Sequence, residues 1–336
     1  MLTRRAVLGG MAATVVARPA WAQDADWKKV VDAAKKEGKV VVYNGAVGMP
    51  VLPKVGAAFE GKYGIRFELL EARASELRER ICTEQASGKI LGDVSHNGST
   101  TTALQLAEGT FQPHGTLPNG KRPVAPFATD DVRIPIYVIP YGILVNSEMV
   151  KAADEPKSWK DLLNPRWKGK LLMDDMRALG GGAVFFMVTH RTFGKEFHDK
   201  LAEQQPHMNR DLRGNFPRVA RGEYPVYAPF ATPDILELKG LPVKLLLPAE
   251  GLPYVRFDGA IFKGAPHPNA ARLFLDFLLS DEAQLLYGGA GYVMTVGGLE
   301  SKVSGEAKTL AQPKLLGTTD PKLQEEMLKL AKAIYK

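Results

Sequence analysis

Two long extended runs broken by proline set the strongest limit on how this chain can fold. They are "VRIPIYVIPYGILVN", residues 132–146, and "PVKLLLPAEGLPYVRFDGAIFKG", residues 242–264. Both carry the β-branched and aromatic residues of strands. Proline brings no N–H to a hydrogen-bonded ladder, so each run reads as a sheet edge or as a strand leaving one sheet for another. A complete α/β unit lies between them, and further α/β segments lie before and after. This order predicts a first lobe made from both ends of the chain, a second lobe inserted between, and two hinge crossings. The crevice between such lobes is the default place for a ligand.

Within each part helix and strand alternate. Residues 26–37 carry Trp27, Val30, Val31 and Ala34 at helical spacing, and Gly38 follows them. The strand of "KVVVYNGAVG" comes next, then a helix near 51–63, the strand "IRFELLE", a charged amphipathic helix over 73–87, and "ILGDVSHNGSTT", a strand entering a helix start. This βαβαβα order predicts an α/β fold with a parallel, doubly wound sheet and flanking helices in each lobe. The middle unit adds "GKLLMDD", the glycine-rich "MRALGGGAVFFMVTHRTFG", a helix over 211–221, the strand "YPVYAPF" and the helix "TPDILELKG". Helices close the chain, the last near 321–334. The expected divisions are 1–22 as an export signal, 23–136 as the first part of lobe 1, 137–250 as lobe 2, and 251–336 as the return to lobe 1 with the C-terminal helices.

The N-terminus, "MLTRRAVLGGMAATVVARPAWAQ", has two arginines, a short apolar stretch and Ala20-Trp21-Ala22, the small-residue pattern of a signal peptidase site. Cleavage after Ala22 is expected, with a periplasmic product. Thr3-Arg4-Arg5 also matches the twin-arginine export motif, although Sec signals carry arginine pairs too. Losing three arginines and no acid would take the formal charge from +7 to +4. With no Lys/Arg block, that balance argues against a nucleic-acid partner. Cys82 is the only cysteine, which excludes an intrachain disulfide and a thiolate zinc cluster; a partly buried, inert thiol is expected.

The stretches "VVVYNGA", "PIYVIPYGILVNSEMV", "PKSWKDLLNPRWKGKLLMDD", "VARGEYPVYAPFATPDILELKGLPVKLLLPAEG" and "AIFKGAPHPNAARLFLDFLLSDEAQLLYGGAGYV" resemble the periplasmic solute-binding proteins of ABC importers. The likeness is to the type II architecture, in the extracellular group that includes the ferric-iron binders, and it covers nearly the whole mature chain in order. It implies a monomeric receptor without a cofactor that closes two lobes on one small-molecule solute and delivers it to an inner-membrane permease and its ATPase. The ferric members hold iron with two adjacent tyrosines beyond the strand that here reads "YPVYAPFATPD". This chain has no Tyr-Tyr pair. Tyr224, Tyr227, His96 and Asp93 form an imaginable substitute, but ferric iron asks for several converging anionic oxygens. An anionic organic solute, a carboxylate or phosphonate, is therefore the expectation and iron the alternative.

Four loops should face the crevice. The first holds Tyr43, Asn44 and Gly45, and the second holds His96, Asn97, Ser99 and Thr100 at a helix start able to accept an anion. The third is "MRALGGG", where Arg177 offers a planar fork and Gly180 and Gly181 offer backbone donors. The fourth contains Tyr227, Phe230 and Thr232. Tyr141 and Tyr254 lie on the two crossings. Each position has a purely structural alternative: a core tyrosine with a satisfied hydroxyl, a turn histidine, a solvated arginine, glycines that allow close packing. An exported enzyme is the competing class, yet the sequence lacks G-x-S-x-G and H-E-x-x-H, and Asp174-Asp175 and Asp130-Asp131 would point to opposite faces of a strand.

Overall fold

A computed structural model describes residues 20–336; the expected export signal lies outside the described residues except for its last three positions. Helix α1 (Ala20–Glu37) leads into β1 (Lys39–Asn44), whose alternating valines Val40 and Val42 are fully buried. Then come α2 (Val51–Tyr63), β2 (Arg66–Glu71), α3 (Ala74–Ser87), β3 (Val94–Gly98) and α4 (Ser99–Ala107). Strand β1 pairs in parallel with β2 on one side and β3 on the other. Helix α3 turns Leu77 and Ile81 inward, which leaves Cys82, one position on, exposed rather than partly buried.

After the short β4 (Phe111–Gln112), the first proline-broken run forms a single strand, β5 (Arg133–Asn146). The middle unit supplies β6 (Leu171–Asp174), α5 (Gly181–Phe193), α6 (Lys195–Glu203), β7 (His207–Asn209), α7 (Leu212–Ala220) and β8 (Val226–Ala231), with β6 parallel to β7 and β8. "TPDILEL" winds as a 3-10 turn over Thr232–Leu238 rather than an α-helix. The second run divides into β9 (Val243–Leu246) and β10 (Leu252–Phe262), separated by a turn in which the Gly251 N–H donates to the Pro248 carbonyl. Then follow α8 (Pro268–Leu278), α9 (Asp281–Gly289), β11 (Val293–Met294), α10 (Ala307–Leu310), β12 (Leu315–Gly317) and α11 (Gln324–Ile334).

The strand order β2-β1-β3-β10-β5-β8-β6-β7 is continuous because β5 belongs to both halves. Its residues up to Pro140 pair with β10, and those from Tyr141 on pair with β8 and β9. The prolines sit where the ladder breaks. Pro135 lies opposite Asp258, at a register shift between Phe257 and Asp258, and Pro140 is the last residue before β5 changes partner. A missing N–H leaves little unsatisfied at such points, so an interior strand tolerates both.

One core gathers α2, α8 and α9 on the first half of the sheet, around Phe59, Phe274 and Phe277. Another forms on the second half around Trp159, Phe185 and Phe197. The final helix departs from the expected division. Strand β12 pairs with the start of β10, and α11 then packs on α5 and α6, where Ala331 and Tyr335 join the second core. The Tyr335 hydroxyl lies 2.8 Å from buried His198 Nδ1. Helix α11 is thus built onto the inserted half, because its apolar face is matched there and not on the first sheet. Among the described residues no helix is long and apolar enough to cross a membrane.

Candidate functional site

Strands β1 and β3 end side by side at the gap between the two halves. Alternation along β1 sends Tyr43 and Asn44 to opposite faces. Tyr43 goes under α3, where its hydroxyl donates to Glu84 at 2.6 Å, and burial, reinforced by Glu84, pushes its pKa up to about 12. It is a core residue and does not line the gap. Asn44 is buried on the other face: its Nδ2 donates to the Ala46 carbonyl and to Glu71, and its Oδ1 accepts from the Ala46 N–H at 3.0 Å. The orientation of that amide is therefore fixed, so His96 Nδ1, 2.8 Å from the same Oδ1, must carry the hydrogen. His96 Nε2 is left as a bare acceptor with no protein partner, and complete burial holds the ring pKa down to about 3. The ring lies 5.5 Å from both Tyr137 and Phe257, and Tyr137 in turn packs tilted against Tyr287 at 4.6 Å and edge-on against Tyr292 at 4.9 Å.

Gly45 donates its N–H to the His96 carbonyl and lies beneath Asn97, whose Oδ1 is 1.9 Å from where a Cβ would stand. That oxygen too is buried without a partner. Ser99 and Thr100 open α4, as expected, but the Thr100 hydroxyl is engaged by Thr319 at 2.6 Å.

On the facing half, β6 delivers Asp174 to the start of α5. Its Oδ2 accepts the Gly182 N–H at 2.5 Å, so the helix start expected to receive a ligand anion already holds the protein's own carboxylate. Gly180 has φ +150°, and a Cβ at Gly182 would stand 2.6 Å from the Asp175 backbone, which explains the glycine run by close packing. Arg177 is closed into a two-pronged contact with Asp175, Nε to Oδ1 at 2.8 Å and Nη2 to Oδ2 at 3.1 Å, and its Nη1 faces the Tyr335 carbonyl. The planar fork expected for a ligand is occupied inside the protein.

Tyr141 lies against Gly181, beside Asp174. Tyr227 and Phe230 belong to a small core with Phe216. Thr232 turns its methyl toward Gly142 and leaves Oγ1 buried with no partner. Two residues on, Asp234 stands among Tyr141, Tyr227, Tyr292 and Arg213. No hydrogen bond or ion pair reaches its carboxylate among the described residues. Burial raises both Asp174 and Asp234 to about 7. Tyr254 faces away, packing edge-on against Phe127. Asp93 and Tyr224, members of the imagined iron set, lie elsewhere: Asp93 binds the Val41 and His267 N–H groups, and Tyr224 stacks on His207. No three His, Cys, Asp or Glu side chains among the described residues converge as a metal-holding group.

The two halves touch around this gap. Arg213 of α7 donates to the Gly48 carbonyl at 2.7 Å while its other prong holds Glu237, and Arg191 of α5 donates to the Thr318 carbonyl at 3.1 Å. Two surface depressions, one lined by Asp154, Lys157 and Arg166 and one between α6 and α11, lie apart from it and contain none of the orphaned atoms.

Residues 102–317 match the family model described as bacterial extracellular solute-binding protein. The chain belongs to that family. It is thus the solute-binding component of an ABC importer, in a family of extracellular and periplasmic proteins that work with a membrane permease and ATPase. This solute-binding protein is 28% identical, over 270 residues, to an uncharacterized protein of Haemophilus influenzae, covering 76% of the present chain and 77% of that one. Its fold is that of two-lobed type II periplasmic binding proteins. Similar structures include Trichodesmium FutA in complex with iron and citrate (TM-score 0.72, 19% identity, 89% of this chain and 100% of that one). Iron-bound HitA of Pseudomonas aeruginosa (0.71, 20%, 88% and 99%) and Actinobacillus pleuropneumoniae AfuA with fructose-6-phosphate (0.65, 21%, 89% and 96%) are also similar.

Of the residues expected from sequence, Asn44, Gly45, His96 and Asn97 come together at the ends of β1 and β3, and Tyr141 and Thr232 lie on the facing half. Sequence reasoning passed over Asp174, Asp234, Arg213 and the rings of Tyr137, Tyr287 and Tyr292. A carboxylate two positions after Thr232 in a loop already expected at the crevice was a usable signal for Asp234. The rings come from three separate segments and have no local signature.

Proposed function

We propose that this receptor captures a small organic solute between the ends of β1 and β3 and the facing surface of Tyr141, Asp174, Thr232 and Asp234, with β5 and β10 as hinges. Lobe 1 would comprise residues 23–136 and the return from 251. Lobe 2 would comprise residues 137–250, with α11 riding on it. The observation that carries this reading is the set of buried polar atoms, without protein partners among the described residues, contributed from both sides of the gap: His96 Nε2 and Asn97 Oδ1 from one, Thr232 Oγ1 from the other. Native interiors pair nearly all such groups, so a set of orphans facing across a hinge supports a bound solute as their missing partner. A solute touching both lobes binds the closed form better and shifts the population toward it, which gives the permease a state to recognise.

An organic solute fits better than ferric iron. Burial and the neighbouring Asp174 keep the Tyr141 and Tyr227 phenols protonated, and Ala231 to Pro233 offer no phenolate. The chain acts as a monomer in the periplasm after cleavage behind Ala22, without catalysis. The test is titration of the mature protein while Trp159 and Trp167 fluorescence and small-angle scattering are followed. Saturable binding with a smaller radius of gyration is expected; solute turnover, or unchanged scattering at saturation, would refute it.

A further inference from the structure

We infer that the crevice selects an organic cation bearing N–H donors: the Asp234 carboxylate, which stands in the gap with no hydrogen bond or ion pair among the described residues, is its anchor, and His96 Nε2 and Thr232 Oγ1 are acceptors for its N–H groups. The inference rests on the receptor reading above and replaces the anionic solute expected from the sequence. That expectation drew on Arg177 and the start of α5, and both are already matched by carboxylates of this chain, Asp175 and Asp174. Arg213 is engaged by Glu237 and by the Gly48 carbonyl. Arg210, exposed just after β7, is the cation near Asp174, and it faces two acids of its own half, Asp174 and Asp175. A carboxylate or phosphate entering here would meet the like charge of Asp234, which is unfavourable.

The unpartnered groups point the same way. His96 Nε2 is an acceptor only, by the tautomer that Asn44 imposes, and its residue has no exposed surface. Thr232 is 1% exposed, and its hydroxyl lies on the same 3-10 turn as Asp234. Tyr141 and Tyr292, both within electrostatic reach of Asp234, offer aromatic faces of the kind that attract ammonium and amidinium groups.

The sign of the pH dependence separates the two charge classes. Asp234 is faced by Arg213 from α7, Glu237 from its own turn, Tyr141 from β5, Tyr227 from β8, and Tyr292 from the segment before β11. The three phenols are raised and stay neutral through this range. With Asp234 at about 7, its ionised fraction falls about tenfold from pH 8 to pH 6. A cation should then bind about tenfold more weakly at pH 6, whereas an anion should bind more tightly. The experiment is calorimetric titration of the mature protein at pH 6 and 8 with putrescine, agmatine and thiamine, set against citrate, glucose 6-phosphate and inorganic phosphate. At least one cation is expected to bind with that pH dependence, and Asp234→Asn should weaken it tenfold or more and flatten the slope to what Asp174, which titrates over the same range, still contributes. Binding of anions alone, indifference of cation binding to Asp234→Asn, or no cation bound at ~10 mM would overturn the inference. An anion that binds and compacts the lobes would sink the charge class while sustaining the receptor; failure of every probe, ferric citrate included, to change the scattering would sink the receptor itself.

Discussion

Replacing Asp174 by Asn should shift stability in the variant's favour by about 3 kcal/mol between pH 5 and pH 8. Asp174 is 5% exposed, and burial lifts its carboxyl from an ordinary 3.8 to about 7 against the opposing N–H groups of Gly182 and Asp175. In the unfolded chain the same group has lost its proton by pH 5. Because the native pKa is the higher one, Asp174 contributes stability in full below pH ~4 and loses it as pH rises through 7. At about 1.4 kcal/mol per pH unit the ionised form is disfavoured by about 4 kcal/mol at pH 8. Asn carries no such penalty, and its oxygen still accepts from Gly182. The Asp175 N–H keeps its bond to the Asn209 carbonyl, but an NH2 turned toward it costs about 1–2 kcal/mol at every pH. The variant should therefore be within about 1 kcal/mol of the parent at pH 5, where the parent has already lost about 1.6 kcal/mol, and more stable by about 2–3 kcal/mol at pH 8. His96 and His198, both held down to about 3 by burial, lose stability as pH falls below their unfolded value, but they are common to both proteins and cancel in the difference. Urea unfolding followed by circular dichroism at four pH values between 5 and 8 measures this. A difference in free energy that does not change with pH would show that Asp174 ionises normally and that the account of its burial is wrong.

Three further substitutions probe the closure and the packing of the site. Arg213→Ala removes the bond to the Gly48 carbonyl across the gap; with that side chain about 42% exposed, the loss should be about 1 kcal/mol. Solute affinity should then fall about fivefold, with a larger free-state radius of gyration, and unchanged values of both would remove Arg213 as a latch. Gly45→Ala drives a methyl into Asn97 Oδ1 and should destabilise the protein by about 1–3 kcal/mol, largely restored by adding Asn97→Ala. No rescue in the denaturation midpoint of the double variant would mean the clash lies elsewhere. Arg177→Ala, which frees Asp175 but touches nothing in the gap, should leave the dissociation constant within about twofold; a loss of about 1.4 kcal/mol or more would return Arg177 to the site.

The chain by itself determined the architecture and its articulation. Proline's missing N–H and the spacing of apolar residues are properties of short segments, so the crossings at 132–146 and 242–264, the α/β alternation and the family likeness could be read without coordinates. The same local reading placed Asn44, Gly45, His96 and Asn97 at a strand end. It could not tell that Tyr43 turns under α3 while Asn44 turns toward the gap, because strand alternation says only that the two differ. Only the tertiary structure decided which charges are already answered. Arg177 is closed by Asp175, the start of α5 by Asp174 and Arg213 by Glu237, whereas no hydrogen bond or ion pair reaches Asp234 among the described residues, and the proposed charge of the solute rests on these matches. It also decided that Tyr137, Tyr287 and Tyr292 meet and that α11 joins the inserted half. Pairing and desolvation are sums over neighbours brought from distant parts of the chain, and a one-dimensional pattern does not contain those neighbours until the fold assembles them.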